Sequence, residues 1–459
     1  MRYVSTRGQS SPLGFADVLL AGLASDGGLY VPESWPQLPP AAELDATTSY
    51  AQCAAAIIQP FIGDDIDAVD VQSMCRAAYG TFRHDAVVPL VQIDHRQWIA
   101  ELYHGPTLAF KDVALQLVGR LFDHVLRQRD QRVTIVGATS GDTGSAAIEG
   151  VSGCDRVDIV MLYPRGGPSE VQRRQMTTVD ASNVRAVAVD GTFDDCQDLV
   201  KAMFNDAPFR ERMRLSAVNS INWARVMAQT VYYVTASRAL RQPITACVPT
   251  GNFGNILAGW VAKHMGAHVA DFIVASNAND ILTRFVNHGD MSMRPVVPTS
   301  SPSMDIQVSS NFERLLFEMN DRQGARTAEQ LARFRQSGRL DIADDVREKW
   351  VSELFRAARF DDDAVAAEMR RVYEACGMLI DPHTATGTAA AQALAGEHPV
   401  VTMATAHPAK FPDAVEQATG VRPALPEHLA ELFDRPERTE LITNDLAVVE
   451  EYVSVAFGA

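Results

Sequence analysis

The chain has 459 residues, close to half of them apolar, and 57 acidic side chains against 41 Lys and Arg, for a formal net charge of −16. That length allows more than one domain or subdomain, and the acidic balance excludes a sequence-independent nucleic-acid binder, which needs a positive binding face. No run approaches the ~18–20 uninterrupted apolar residues of a membrane helix, and no apolar signal-type stretch follows the first methionine. Cys53, Cys75, Cys154, Cys196, Cys247 and Cys376 form no C-x-x-C pair and read as reduced thiols of a cytoplasmic protein.

In chain order, residues 1–95 read as an N-terminal domain of mixed helix and turn. The Gly- and Pro-rich stretch "SDGGLYVPESWPQLPP" (25–40) must be irregular, and 43–63 predicts a helix ended by Gly63. From Lys111 the pattern changes. Segment 112–129 puts Val113, Leu117, Leu121, Phe122 and Val125 on one helical face. The β-branched run at 132–137 predicts a strand, and "ATSGDTGSAAIEGV" (138–151) a glycine turn opening a helix. Strands follow at 155–164 and 183–191, then a helix at 193–206, and the alternation recurs at 244–266, 270–280 and 398–420. Strand alternating with helix marks an α/β fold with parallel sheets. The expected organisation is an N-terminal domain (1–95), one α/β subdomain (96–225), a second (226–430) and a C-terminal segment (431–459).

In open parallel sheets, ligands bind at the carboxyl ends of the strands. Three loops fall there: "GATSGDTGS" (137–145), "PTGNFGN" (249–255) and "ATAHPAKF" (404–411). The first two are glycine turns opening helices, whose free N–H groups and dipole attract an anion without a cation. Neither matches G-x-x-x-x-G-K-[ST] or G-x-G-x-x-G, which weighs against mononucleotide and dinucleotide binding.

"HGPTLAFKD" (104–112) leads into Lys111 through Leu108, Ala109 and Phe110. Two readings are open. The lysine is either amphipathic, with its head in water, or a desolvated amine of lowered pKa that forms an imine with a carbonyl. Beside an anion cradle, the second describes a pyridoxal phosphate site.

The segments "HGPTLAFKD", "ATSGDTGSAA", "PTGNFGN", "SSNFERLLFE", "DPHTATG" and "ATAHPAKF" resemble, in that order, the motifs of threonine synthase, and "SDGGLYVPESWP" is similar to that family's N-terminal domain. The resemblance spans essentially the whole chain. It implies the fold type II (tryptophan synthase β-like) architecture: two parallel-sheet α/β subdomains plus an N-terminal mixed domain. It also implies pyridoxal 5'-phosphate as cofactor. The implied reaction turns O-phospho-L-homoserine and water into L-threonine and phosphate by γ-elimination and β-addition.

Residue by residue, Lys111 matches the catalytic lysine that forms a Schiff base with the cofactor and later moves protons. Gly251, Asn252, Phe253, Gly254 and Asn255 match the cofactor-phosphate loop, and Thr405 lies where a hydroxyl meets the pyridine nitrogen. Thr139, Ser140, Gly141, Asp142, Thr143 and Gly144 match the loop gripping the substrate carboxylate. Relatives outside the subfamily often carry Asn in place of Asp142, where its amide donates to the cofactor's 3′-oxygen. An ionised Asp is acceptor-only, so that contact stays open here while Asp142 is kept with the substrate loop.

His104 either touches cofactor or substrate or closes the turn before Pro106. Ser309, Ser310, Asn311 and Arg314 form either a capped helix start or a polar segment receiving the leaving phosphate, with Arg314 or Lys410 supplying charge. Asp381 and His383 have no third ligand spaced nearby, so no metal is expected. A phospho-lyase or a serine/threonine dehydratase shares the lysine and the glycine loops. A silent pyridoxal phosphate-binding protein has no need of an intact Lys111. The expected partner is a small-molecule substrate, with no nucleic acid or membrane, for a monomer or homodimer.

Overall fold

The computed structural model describes residues 1–40 and 48–458. Strands β1 (Arg2–Ser5), β2 (Leu13–Gly14) and β3 (Tyr30–Pro32) form a small antiparallel sheet. Then come β4 (Leu90–Gln92), β5 (Gln97–Glu101), β6 (Val133–Ala138), β7 (Val157–Pro164), β8 (Val184–Asp190) and β9 (Leu215–Ser216). After them run β10 (Ile244–Pro249), β11 (Val269–Ser276), the antiparallel pair β12 (Met291–Ser292) and β13 (Arg339–Leu340), β14 (Phe355–Arg359), β15 (Val400–Ala404) and β16 (Thr439–Thr443). Among the described residues, two larger sheets stand out: a six-stranded one ordered β14-β11-β10-β15-β5-β4 and a five-stranded one ordered β16-β8-β7-β6-β9. Every pairing in them is parallel except β4 with β5.

The central strands β7 and β10 are buried along their whole length. This is why they read as near-continuous apolar runs, since a parallel strand covered by helices on both faces has no wet side. Asp158 in β7 is the exception, and Arg132 meets its carboxylate at 2.6 Å.

The first predicted helix is shorter than 43–63. It runs Tyr50–Ile62, opened by a Ser49–Gln52 capping box and closed at Gly63, whose φ is 63°. Residues 43–47 of the expected helix lie outside the described residues.

Of the expected boundaries, 225 divides the strands of the five-stranded sheet (β6–β9) from those of the six-stranded one (β10, β11, β14 and β15), while those at 95 and 430 do not mark off units with sheets of their own. β4 and β5 lie on either side of residue 95, yet both belong to the six-stranded sheet, where β5 pairs with β15. The C-terminal segment supplies β16, which pairs with β8 of the five-stranded sheet. Alternation reports that strands exist; it does not report which sheet each joins. Nor is the N-terminal part separate: one apolar core runs from Tyr3 and Phe61 through Trp223 to Trp260 and Phe272.

Helix Lys111–Gln128 lies backbone to backbone against helix Asp142–Val151. A Cβ on Gly119 would sit 1.9 Å from the Gly150 carbonyl oxygen, and one on Gly150 would sit 2.5 Å from that of Leu115. This contact sets the spacing between the two helices that begin at Lys111 and Asp142.

Candidate active site

The loop before Lys111 is zipped to the loop after β15. Phe110 N–H donates to Thr405 C=O at 2.8 Å, His407 N–H donates to Leu108 C=O at 3.0 Å, and Ala109 and Ala406 form an antiparallel bridge. Thr107 donates its N–H and hydroxyl to the Asp112 carboxylate at 2.8 and 2.6 Å, closing the loop onto the first helical turn. Leu108 sits at φ 62° within this turn, a region that non-glycine residues rarely occupy. Lys111 therefore starts its helix beside Thr405, with 7% of the residue exposed. Burial lowers its pKa, Asp142 raises it, and Lys410 and Arg225 lower it further, with a net fall.

The loop after β6 presents Asp142 at the N-terminus of its helix. The Thr139 hydroxyl oxygen accepts from Gly141 N–H and Gly144 N–H at 2.9 Å each, so Thr139 shapes the loop from within. Gly141 has φ 149°, and a Cβ there would meet the Gln172 side chain at 2.5 Å. Ser140 is exposed and Thr143 half-buried. The Asp142 carboxylate accepts from Lys410 Nζ and Gln172 Nε2 at 2.8 Å each, and from Lys111 Nζ at 3.3 Å. Burial opposes its ionisation, but Lys410 and then Lys111 overcome that and hold its carboxyl far below the usual range. Asp142 thus acts here as a buried acceptor for two ammonium groups. The first N–H groups of its helix have no acceptor one turn back and face the loop.

The turn after β10 is braced from behind. Ser309 Oγ donates to Gly251 C=O at 2.8 Å, and Asn311 donates from both its backbone N–H and its Nδ2 to Asn252 C=O at 3.1 Å. Phe253 caps helix Gly254–Met265 at φ 63°, its ring edge-on to Phe312. Tyr232 and Tyr233 donate their hydroxyls to Asn255 Oδ1 at 2.5 and 2.8 Å, and Asn255 Nδ2 is left buried without an acceptor.

Two expectations change. Arg314 was read as a cation for a leaving phosphate, yet its guanidinium donates to Tyr30 C=O at 2.9 Å, Ile221 C=O at 2.6 Å and Asn311 Oδ1. Lys410 is 0% exposed and donates to Asp142, to Thr107 C=O at 2.8 Å and to Gln175 Oε1 at 3.1 Å. Both cations are spent inside the protein. Asn311 braces the Gly251 turn instead of facing a ligand, and Ser310 is half-buried beside it. His104 is held by Glu101 at 2.8 Å and stacks near His84 and Tyr103; no contact joins it to Lys111. Asp381 caps helix Pro382–Ala393 and accepts from its partner His383, a structural use of the pair. Among the described residues, no cluster of three metal-ligating side chains occurs.

Sequence reading passed over Arg225. It lies in helix Trp223–Leu240, is 4% exposed, and its Nη1 has no acceptor. Its charge acts on both Lys111 and Tyr232, and burial lowers its pKa to about 10. The available signal was a lone arginine heading a stretch, 226–237, that carries no other charge.

The site therefore gathers an amine, a helix N-terminus, a buried amide donor and a buried guanidinium. All are donors or positive ends, and they need an anion. These residues fit pyridoxal phosphate, an aldehyde carrying a phosphate.

Comparison with known proteins follows the same lines. A family model described as "Threonine synthase N terminus" matches residues 2–79, "Pyridoxal-phosphate dependent enzyme" matches 86–337, and "Threonine synthase, C-terminal" matches 384–453. The threonine synthase of Pseudomonas aeruginosa is 51% identical over 467 residues, covering 99% of this chain and 98% of that one. A PLP-bound threonine synthase from Brucella melitensis superposes with a TM-score of 0.97 at 52% identity, covering 100% of both chains. The yeast threonine synthase structure gives 0.93 at 37% identity, covering 100% of this chain and 99% of that one.

Proposed function

The chain belongs to the threonine synthase family, and from that membership we propose how its residues carry the reaction. It converts O-phospho-L-homoserine and water to L-threonine and phosphate with pyridoxal 5'-phosphate. Lys111 would hold the cofactor through its amine, the Gly251–Asn255 turn would hold its phosphate, and Thr405 would face its ring nitrogen. When bound, the cofactor supplies an electron sink for the charge left on a substrate carbon after proton removal.

The chain's own groups do the rest. The free N–H groups at Asp142 and Thr143, with the helix dipole behind them, bind the substrate carboxylate. Lys111 Nζ, its pKa lowered by burial, takes the proton from Cα, gives it up again, and as a free amine takes one from Cβ. Phosphate leaves Cγ. With Arg314 and Lys410 spent, Arg225 is the buried cation near Lys111 that receives the departing dianion. Water adds at Cβ, and reprotonation completes threonine. The apolar walls and buried loops keep other water from the exposed carbon.

One observation carries this reading: a buried lysine of lowered pKa stands beside a helix N-terminus and a buried arginine whose Nη1 lacks an acceptor. A phospho-lyase would share that site, so products decide. Purified protein is incubated with O-phospho-L-homoserine, and threonine, phosphate, ammonia and 2-oxo acid are assayed together, with Lys111→Ala alongside. Threonine and phosphate in equal amounts, lost in the variant, support the reading. Phosphate with ammonia and oxo acid moves the enzyme to the lyases.

Cys75, Cys154, Cys196, Cys247 and Cys376 are free thiols, and no described helix is long and apolar enough to cross a membrane. We infer a cytoplasmic enzyme, monomeric or homodimeric, acting on a small molecule and not on nucleic acid.

A further inference from the structure

Lys410 is the most deeply buried cation in the site, and its three N–H donors meet three acceptors: Asp142, Thr107 C=O and Gln175 Oε1. It comes from the loop after β15 of the six-stranded sheet, while Asp142 opens a helix after β6 of the five-stranded sheet. Of the two lysines on Asp142, Lys410 is the nearer, at 2.8 Å against 3.3 Å for Lys111. We propose that Lys410 is a positioning residue that keeps Asp142 permanently neutralised, so that Lys111 can release its proton and use its amine without stranding a bare carboxylate in the core.

The charges around the pair make the case. Lys111 faces Asp142, Lys410 and Arg225. Asp142 faces Lys410 and Lys111, with the neutral Gln172 on its other side. Lys410 also feels Asp112, whose carboxylate is already held by Thr107. If Lys111 were the only counter-charge of Asp142, its deprotonation would leave a buried unpaired anion, an expensive state that holds the amine protonated. Lys410 removes that coupling. Lys111 becomes the dispensable cation of the two, which suits an amine that must lose its charge to react. The buried Arg314, fixed on carbonyls, cannot take this part, and the Asp142 carboxylate is held by Lys410, Lys111 and Gln172 and not by Arg225.

This proposal rests on Lys111 being the amine that holds the cofactor, and the test separates the two. The cofactor-loaded protein is titrated with pH while its visible absorption is followed. Parent, Lys410→Met, Lys410→Arg, Asp142→Asn and the double variant Lys410→Met/Asp142→Asn are compared, with Lys111→Ala as a further control. Lys410→Met is expected to raise the spectral midpoint by about 1 pH unit or more, the effect of an uncompensated carboxylate at this range. Lys410→Arg should stay near the parent, and the double variant should return toward it. An unmoved midpoint in Lys410→Met, or a double variant displaced as far as the single one, overturns the proposal. If Lys410→Met does not fold, the double variant decides: with both charges gone it should fold and titrate near the parent, and its failure to do so overturns the proposal too. Lys111→Ala that keeps the parent's spectrum sinks the underlying reading instead.

Discussion

Tyr232 donates its hydroxyl hydrogen to Oδ1 of Asn255 across 2.5 Å, and Tyr233 donates to the same oxygen at 2.8 Å. Two donors on one amide oxygen fix which way the amide points, so Nδ2 remains the free end. Either tyrosine alone still holds the oxygen, and Tyr232→Phe or Tyr233→Phe should weaken pyridoxal phosphate binding by only about twofold to fivefold, within the ordinary net value of one hydrogen bond. The double variant frees the amide to turn, and its dissociation constant should rise about tenfold or more. Equilibrium dialysis with visible absorbance reads this; single and double variants that behave alike would refute the shared clamp.

Arg225 sets stability against activity. A buried guanidinium with an unpaired Nη1 costs the fold, and replacement of an uncompensated buried charge by an apolar side chain of similar length is often stabilising. Arg225→Met should therefore gain about 1–3 kcal/mol of stability without ligand, while kcat/KM for the phosphorylated substrate falls about tenfold to a hundredfold. Urea unfolding and steady-state kinetics on the same preparation test both. A variant that loses stability, or keeps its kcat/KM, removes Arg225 from the anion site.

Two buried groups near the lysine loop pull acid stability in opposite directions. Burial raises the Asp112 carboxyl to about 6, above its unfolded value, so its contribution is fully present below about 4 and is lost as pH rises through 6. Burial lowers the His407 imidazole to about 4, so its contribution is present above about 6.5 and is lost as pH falls through 4. Between pH 4 and 6 the two slopes largely cancel. Relative to the parent, Asp112→Asn should gain stability as pH rises across that window, and His407→Asn, which keeps an acceptor for the Ala409 N–H, should lose it. Each excursion is on the order of 2–3 kcal/mol. Denaturant midpoints at half-unit pH steps give the sign directly, and parallel curves for all three proteins would contradict the assignment.

Much of the candidate site was legible because its signals are local. Lys111, the Gly251–Asn255 turn and the Asp142 loop each announce themselves within a few residues, by an apolar approach or by a glycine turn opening a helix. Arg314 and Lys410 were misplaced for the opposite reason. A cation's employment depends on which carbonyls and carboxylates come to it, and Tyr30, Ile221 and Thr107 lie far off along the chain. Arg225 hid inside a helix that reads as plain core, since burial of a charge shows only once its neighbours are known. The sheet memberships of β5 and β16 were illegible on the same ground: strand propensity is local, while strand pairing is not.

The Gly119–Gly150 contact is the most direct handle on the distance between Lys111 and Asp142. A methyl group on Gly119 has the Gly150 carbonyl 1.9 Å away, so the helices must part. Gly119→Ala should cost about 3 kcal/mol of stability and reduce turnover together with cofactor retention, since the 3.3 Å approach of Lys111 to Asp142 depends on that packing. Unfolding curves and the bound-cofactor fraction check it; a variant with parental values for both would show that the helices are spaced by something else.

The last strand has a consequence for how the molecule is made. β16 pairs with β8, and the helix that follows it, Leu446–Phe457, lays Val449 and Val453 over Val187, Val189, Leu199 and Met203. All of these partners are synthesised more than two hundred residues earlier. Until residues 439–457 have been synthesised, the earlier strands carry an unpaired sheet edge and an uncovered apolar face, the features that chaperones and proteases recognise. Only a chain translated through that helix can hide them, so a product that stops short of it carries the mark of its own incompleteness.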